Sequence, residues 1–234
     1  TVENNLSYLR GFFALLVRRG LVLTNPVAGV HLAQEEHLPH GVLSEAQARR
    51  LMESPSPKTA VGLRDRAVLE VLYGSGLRVG ECARLDLTDV DLVNGTAFVR
   101  DGKGRKDRVV PLSACAIAAL EAYLRKGRPS MAGRRRESGL FVSMKTGRRL
   151  SPAGLHQLVE VHGLRLGTPV HPHALRHTCA THLLRGGASV RHVQKILGHK
   201  ELRSTMLYTR VDTTDLRRVI ERSHPREKRR RRKK

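Results

Sequence analysis

HPHALRHTCATHLLRGG, residues 171–187, is the stretch on which the reading of this chain turns. Pro172 suits the first turn of a helix, because the amide hydrogen it lacks would have no partner there. His173 and Arg176 then fall three apart on one face of that same turn. The free amides and positive dipole end of the turn favour an anion. A phosphate at that point would meet an imidazole and a guanidinium fork together. On spacing alone, a basic, solvated first turn explains these residues equally well. His173 and His177 also have the i,i+4 spacing of metal ligands, but no HExxH is present and residues 161–200 hold no Asp or Glu. Metal binding is therefore the weakest of the three readings.

Outward from this helix, the pattern is mainly α with a small antiparallel β-sheet, an α+β class. Residues 4–20 carry Leu6, Leu9, Phe13, Leu16 and Val17 at helical spacing, with Gly20 as a stop. Residues 24–42 are turn-rich and read as a linker. Ser44 followed by Gln47 is a capping box, so a new helix starts after Leu43. Residues 63–73 form an amphipathic helix ending at Gly74-Ser75-Gly76, and a short helix follows from Val79. Residues 96–112 have strand-like runs on either side of a Gly- and charge-rich turn, which predicts a hairpin. Further helices are expected at 113–126, 152–163, 173–185, 189–197, 204–209 and 213–223.

Three more segments carry possible chemistry. In GSGLRVGE, residues 74–81, glycines bracket Arg78 and let the backbone aim one long side chain into a cleft, although a loop arginine is usually just solvated. The hairpin tip GKGRKDR, 102–108, offers Lys103, Arg105 and Lys106, whose plainest role is generic phosphate contact. In LGHKELRSTMLYTRV, 197–211, His199 follows a helix-ending Gly198, and Tyr208 lies nine residues later. A tyrosine beside Met206 and Leu207 is by itself usually a packing residue. Asp86, Asp89 and Asp91 alternate with apolar residues, so an outward acidic edge is favoured over a two-metal nuclease.

Lys and Arg outnumber Asp and Glu by 43 to 21 in 234 residues, a net charge of +22. Pro225–Lys234 holds eight Lys/Arg and one Glu, so +15 remains on residues 1–224. A body that is basic throughout points to an extended polyanion such as nucleic acid. With no Trp, four Phe and four Tyr, little is available for stacking on single-stranded bases, so duplex DNA is favoured. Three separated cysteines without a CxxC pair suit a reducing cytoplasm. No apolar run approaches membrane-spanning length, and no signal-peptide pattern opens the sequence, so a soluble intracellular protein is expected.

Taken in order, four segments resemble boxes of the tyrosine recombinase (phage integrase) family, most nearly its bacterial Xer-like branch. GLRVGE is similar to its first arginine box and GKGRKDRVVPL to its β-hairpin lysine box. HPHALRHTCATHLL is similar to its HxxR box, and LGHKELRSTMLYT to the closing box with a histidine and the nucleophilic tyrosine. The likeness covers about residues 43–222. It implies a tyrosine-recombinase catalytic domain with six catalytic residues: Arg78, Lys103, His173, Arg176, His199 and Tyr208. Under it, Tyr208 attacks a scissile phosphate to form a 3′-phosphotyrosine, the arginines clamp the non-bridging oxygens, and Lys103 protonates the departing 5′ oxygen. His173 assists proton transfer and His199 hydrogen-bonds the phosphate. Glu81 would orient the arginines or simply lie on the surface. Arg105, Lys106, Arg108, Arg191 and Lys195 are expected as DNA contacts. No cofactor, metal or ATP is called for, and the partners implied are duplex DNA and a homo- or hetero-tetramer on paired sites, with no membrane.

Family members usually carry a complete N-terminal helical DNA-binding domain, and residues 1–23 look like the last helix of one. The expected organisation is thus that remnant helix, a linker at 24–42, a catalytic domain at 43–223 and a disordered basic tail at 224–234 that anchors DNA non-specifically. Arg210 stands where a histidine is often found. A bacterial, cytoplasmic, nucleoid-associated recombinase or integrase is the expected function. The alternative is a non-catalytic DNA-binding remnant of a recombinase. A type IB topoisomerase is disfavoured by the histidine of the HxxR box.

Overall fold

The computed structural model describes residues 2–30, 41–100, 107–133, 136–198 and 213–227. The chain divides into two compact units, Thr1–Leu38 and Pro39–Lys234. In the first, helix α1 (Val2–Arg18) is followed by a loop that folds back on it: Asn25 Nδ2 donates to the Arg10 carbonyl, and Arg10 Nε donates to that of Val27.

The second unit is organised around α3 (Ala60–Ser75), from which eleven residues are buried, among them Val68, Leu69, Val71, Leu72 and Tyr73. A helix buried nearly all round belongs at the centre of a core, so the amphipathic face expected for 63–73 gives way to burial on every side. Before it stands α2 (Glu45–Glu53), whose capping box is formed as expected: Gln47 N donates to Ser44 Oγ, and Ser44 N donates to Gln47 Oε1 at 2.8 Å. Packed against α3 are α5 (Ala114–Ala122) and α8 (Pro172–Arg185), joined by α7 (Pro152–Arg165) and α9 (Val190–Leu197). Among the described residues stand also α4 (Val79–Arg84), α6 (Arg128–Ala132) and α10 (Thr213–Ser223), with a 3-10 turn at Leu87–Asp89 and a π-helical turn at Tyr123–Gly127. The expected helix at 204–209 lies outside the described residues.

The sheet is the predicted hairpin plus a short edge: β1 (Val90–Asp91), β2 (Thr96–Val99) and β3 (Arg108–Pro111), antiparallel in the order β1-β2-β3. The register pairs Ala97 with Val110 and Val99 with Arg108. Ala97, Val99 and Val110 turn into the core, and Phe98 and Val109 turn out, which is the period-two division a half-buried sheet requires.

Two expectations are corrected. The acidic edge is not uniformly outward. Asp89 is buried, its carboxylate taking an ion pair from Arg100 at 2.5 Å and a hydrogen bond from the Asp86 amide, and Asp86 pairs with Arg149. Only Asp91 stays exposed, capping the turn at Asn94. Nor does the tail begin at 224. His224 lies buried against the Tyr73 ring, with centroids 4.7 Å apart, and Arg226 forms a buried ion pair with Glu70 of α3. A carboxylate in the middle of a core helix needs a cation, and the C-terminal segment supplies it. Among the described residues, no helix is long and apolar enough to cross a membrane.

Candidate active site

Gly76 ends α3 in the left-handed conformation, φ +59°, and there the chain turns so that Arg78 becomes the residue capping α4. A Cβ on Gly76 would stand 2.4 Å from Leu197 Cδ2 and 3.3 Å from Cys179 Sγ. The end of α3, the middle of α8 and the end of α9 therefore meet at a point with room only for glycine. The GSG run does turn the backbone tightly, and the reason is this convergence.

Arg176 of α8 reaches into the same convergence. It is 7% exposed, and its two terminal nitrogens donate to the carbonyls of Gly76 and Leu197, each at 2.6 Å. Burial, reinforced by the charge of Arg78, lowers its pKa to about 10, so it stays a cation at neutral pH. Among the described residues, no carboxylate hydrogen-bonds it. A buried cation held by neutral carbonyls has its orientation fixed while its charge is left for an incoming anion.

Glu81 is the hub beside it. Its carboxylate accepts from the Arg78 amide at 2.9 Å and from Arg78 Nη1 at 2.9 Å. From the other side it accepts a bidentate pair from Arg108, at 3.0 and 2.9 Å. Burial opposes ionisation of Glu81, but the hydrogen bonds from Arg108 and the Arg78 amide prevail and hold its pKa at about 2. Its position settles the choice left open by the sequence: Glu81 is inside, between two guanidinium groups. The spacing that announces it is its place three residues after Arg78, where a carboxylate reaches back to a helix's first amide.

Arg78, Glu81, Arg84, Pro172, His173 and Arg176 line one cleft of about 390 Å³. Three of the residues taken from the sequence, Arg78, His173 and Arg176, thus share a single cavity, with His173 exposed and Arg176 at its wall. The first turn of α8 opens onto it, adding the partial positive charge of a helix N-terminus. Arg84 belongs to this wall and was not singled out by sequence, since a lone arginine at the end of a short helix gives no local signal.

Arg108 differs from its expected role as a DNA contact. It turns inward to Glu81, only 15% of its side chain is exposed, and its buried Nε has no partner among the described residues. Gly198 stacks on its guanidinium so closely that a Cβ there would meet Nε at 2.9 Å. Arg191 and Lys195 are exposed on α9, four apart on one face. Lys103, Arg105, Lys106, His199 and Tyr208 lie outside the described residues. The chain leads toward the first three from β2 and toward the last two from Gly198.

The chain matches the phage integrase family over residues 41–215. It is 42% identical to tyrosine recombinase XerC of Oceanobacillus iheyensis over 229 residues, covering 97% of this chain and 75% of that one. Among solved structures it is similar to XerA recombinase, with TM-score 0.61, 36% identity, and coverage of 78% of this chain and 65% of that one. It is also similar to XerH site-specific recombinase bound to difH substrate in a pre-cleavage complex, with TM-score 0.58, 28% identity, and coverage of 69% and 47%. Fold, cleft and likeness together define a tyrosine recombinase catalytic domain. The chain belongs to the phage integrase family, and Xer recombinases are among its relatives there.

Proposed function

We propose that the protein is a site-specific DNA recombinase that cleaves and rejoins duplex DNA through a 3′-phosphotyrosine at Tyr208. The observation that carries this reading is Arg176, a buried guanidinium aimed by the carbonyls of Gly76 and Leu197 at a cleft that also holds Arg78 and His173. Such a site is preorganised for a phosphate whose charge grows during reaction. Donors already in place need no rearrangement as the pentacovalent phosphorane forms.

In this mechanism the Tyr208 phenol oxygen attacks phosphorus, the 5′ oxygen departs, and the phenol proton passes to His173 or to solvent. Arg78 and Arg176 bind the two non-bridging oxygens, His199 donates to one of them, and Lys103 protonates the leaving oxygen. Attack by a 5′ hydroxyl on the phosphotyrosine reverses the step. One phosphodiester is exchanged for another of similar energy, so no nucleotide triphosphate enters the balance. Arg105, Lys106, Arg191 and Lys195 contact the DNA backbone and contribute to affinity in a salt-dependent way. The active assembly is a homo- or hetero-tetramer on paired duplex sites in the bacterial cytoplasm, close to the nucleoid.

The competing reading, a DNA-binding remnant without chemistry, is disfavoured by the cleft itself. A pure binder has no need of a buried arginine oriented by two carbonyls. A nicked suicide duplex separates the two. The recombinase traps a covalent protein–DNA adduct that Tyr208→Phe abolishes, whereas a remnant gives a salt-sensitive gel shift and no adduct.

A further inference from the structure

Where the loop from α7 enters α8, a second group of polar side chains converges. His156 and Glu160 lie four apart on one face of α7. His171, the residue before Pro172, reaches across to them. Glu160 Oε1 is 3.4 Å from His156 Nδ1 and 3.1 Å from His171 Nδ1, and ligand atoms of all three lie within 4.8 Å of one another. The two imidazole rings lie tilted by 37° to each other, with centroids 5.8 Å apart.

Neither chain geometry nor capping accounts for His171. It occupies the capping position of α8 but makes no side-chain cap hydrogen bond, a place where Ser, Thr, Asp or Asn is the stabilising choice. Its ring is committed to Glu160 instead. Exposed histidine–carboxylate pairs contribute little to stability by themselves. The two separations from Glu160 Oε1, however, are close to those between ligands in a coordination sphere. Ligands at about 2.1 Å from a tetrahedral zinc ion stand roughly 3.4 Å from each other. Two imidazole nitrogens with one carboxylate oxygen is a donor set for a borderline transition metal, since calcium and magnesium require oxygen throughout.

We infer that His156, Glu160 and His171 form a zinc-class metal site that ties the start of α8 to α7. Each imidazole coordinates through a ring-nitrogen lone pair, so any proton held at that nitrogen is released to solvent on binding. Among the described residues no fourth ligand stands with these three, so water would complete the coordination. The site is separate from the cleft and does not depend on the proposed reaction. Because His171 adjoins Pro172 at the cleft wall, the ion would brace the helix that carries His173 and Arg176.

The test is a cobalt titration of the full chain, prepared without a histidine tag, at about pH 7.5 where free imidazole is mainly neutral. One equivalent of Co²⁺ should develop the intense visible d–d absorption of a tetrahedral site, and Zn²⁺ should displace it. His156→Gln and His171→Gln should each weaken binding by at least about 10- to 100-fold. His177→Gln, at another exposed histidine, should leave it unchanged. The same Zn²⁺ should raise the melting temperature of the wild-type chain and not that of either ligand variant. Absence of the absorption in the wild-type chain, or equal binding by wild type and the two ligand variants, overturns the site. None of the three positions is buried, so far-UV circular dichroism of each folded variant makes either result decisive.

Discussion

Arg108 donates both terminal nitrogens of its guanidinium to the Glu81 carboxylate, at 3.0 and 2.9 Å, and so fastens β3 to the start of α4. The same carboxylate holds Arg78 from the other side. A residue on the strand leaving the hairpin thereby fixes the position of an arginine in the cleft. Removing Arg108 should leave Glu81 buried with half of its partners. Arg108→Ala is expected to destabilise the domain by about 3–5 kcal/mol in urea unfolding. Glu81→Gln, which keeps the shape and removes the charge, should cost less.

The Glu81 carboxylate also predicts a pH dependence. Its folded pKa, about 2, lies below that of an unfolded glutamate, so its ionised pairing stabilises the native state fully above the unfolded value of ~4.3. That contribution, on the order of 3 kcal/mol, is lost as pH falls from there toward 2. Unfolding free energies between pH 6 and 3 should therefore fall more steeply for the wild type than for Glu81→Gln. Equal slopes would place the acid sensitivity elsewhere.

Gly76 is the second structural pivot. Alanine there would take on an unfavourable left-handed conformation and drive its Cβ into Leu197. We expect Gly76→Ala to cost about 2–4 kcal/mol. It should also slow cleavage, because the Gly76 carbonyl that orients Arg176 shifts with it. A variant that melts like wild type would show that α9 is not packed on this turn.

The C-terminal segment makes a prediction independent of the active site. Arg226→Ala strands Glu70, which is fully buried, and should destabilise by about 3–5 kcal/mol. Replacing the pair together, Glu70→Leu with Arg226→Met, should recover most of that loss. A double variant no more stable than Arg226→Ala would mean that the pair is not the source of the effect.

What the sequence made legible follows the range of the interactions involved. The Ser44–Gln47 box, the hairpin over 96–112, the helix at 213–223 and the glycine turn before Arg78 are set by residues within a few positions of each other, and local pattern finds them. Arg78, His173 and Arg176 were found as members of motifs, and the structure brings them to one cleft. Polar residues whose burial depends on a distant partner were misjudged or left open: Asp89 with Arg100, Arg108 with Glu81, and Arg226 with Glu70, 156 positions away. An arginine reads as solvated until its carboxylate is found. The carbonyls of Gly76 and Leu197 that aim Arg176 carry no side-chain signal at all.

The central claim is that Arg78 and Arg176 stabilise a phosphate in the transition state and do not merely bind DNA. The most direct measurement is the single-turnover rate of covalent adduct formation on a suicide duplex, set beside the affinity for the same duplex. For Arg176→Ala and Arg78→Ala the rate should fall at least about 100-fold while affinity changes by no more than a few-fold. Adduct formation at the wild-type rate in either variant, or a rate loss matched by an equal loss of affinity, would contradict it.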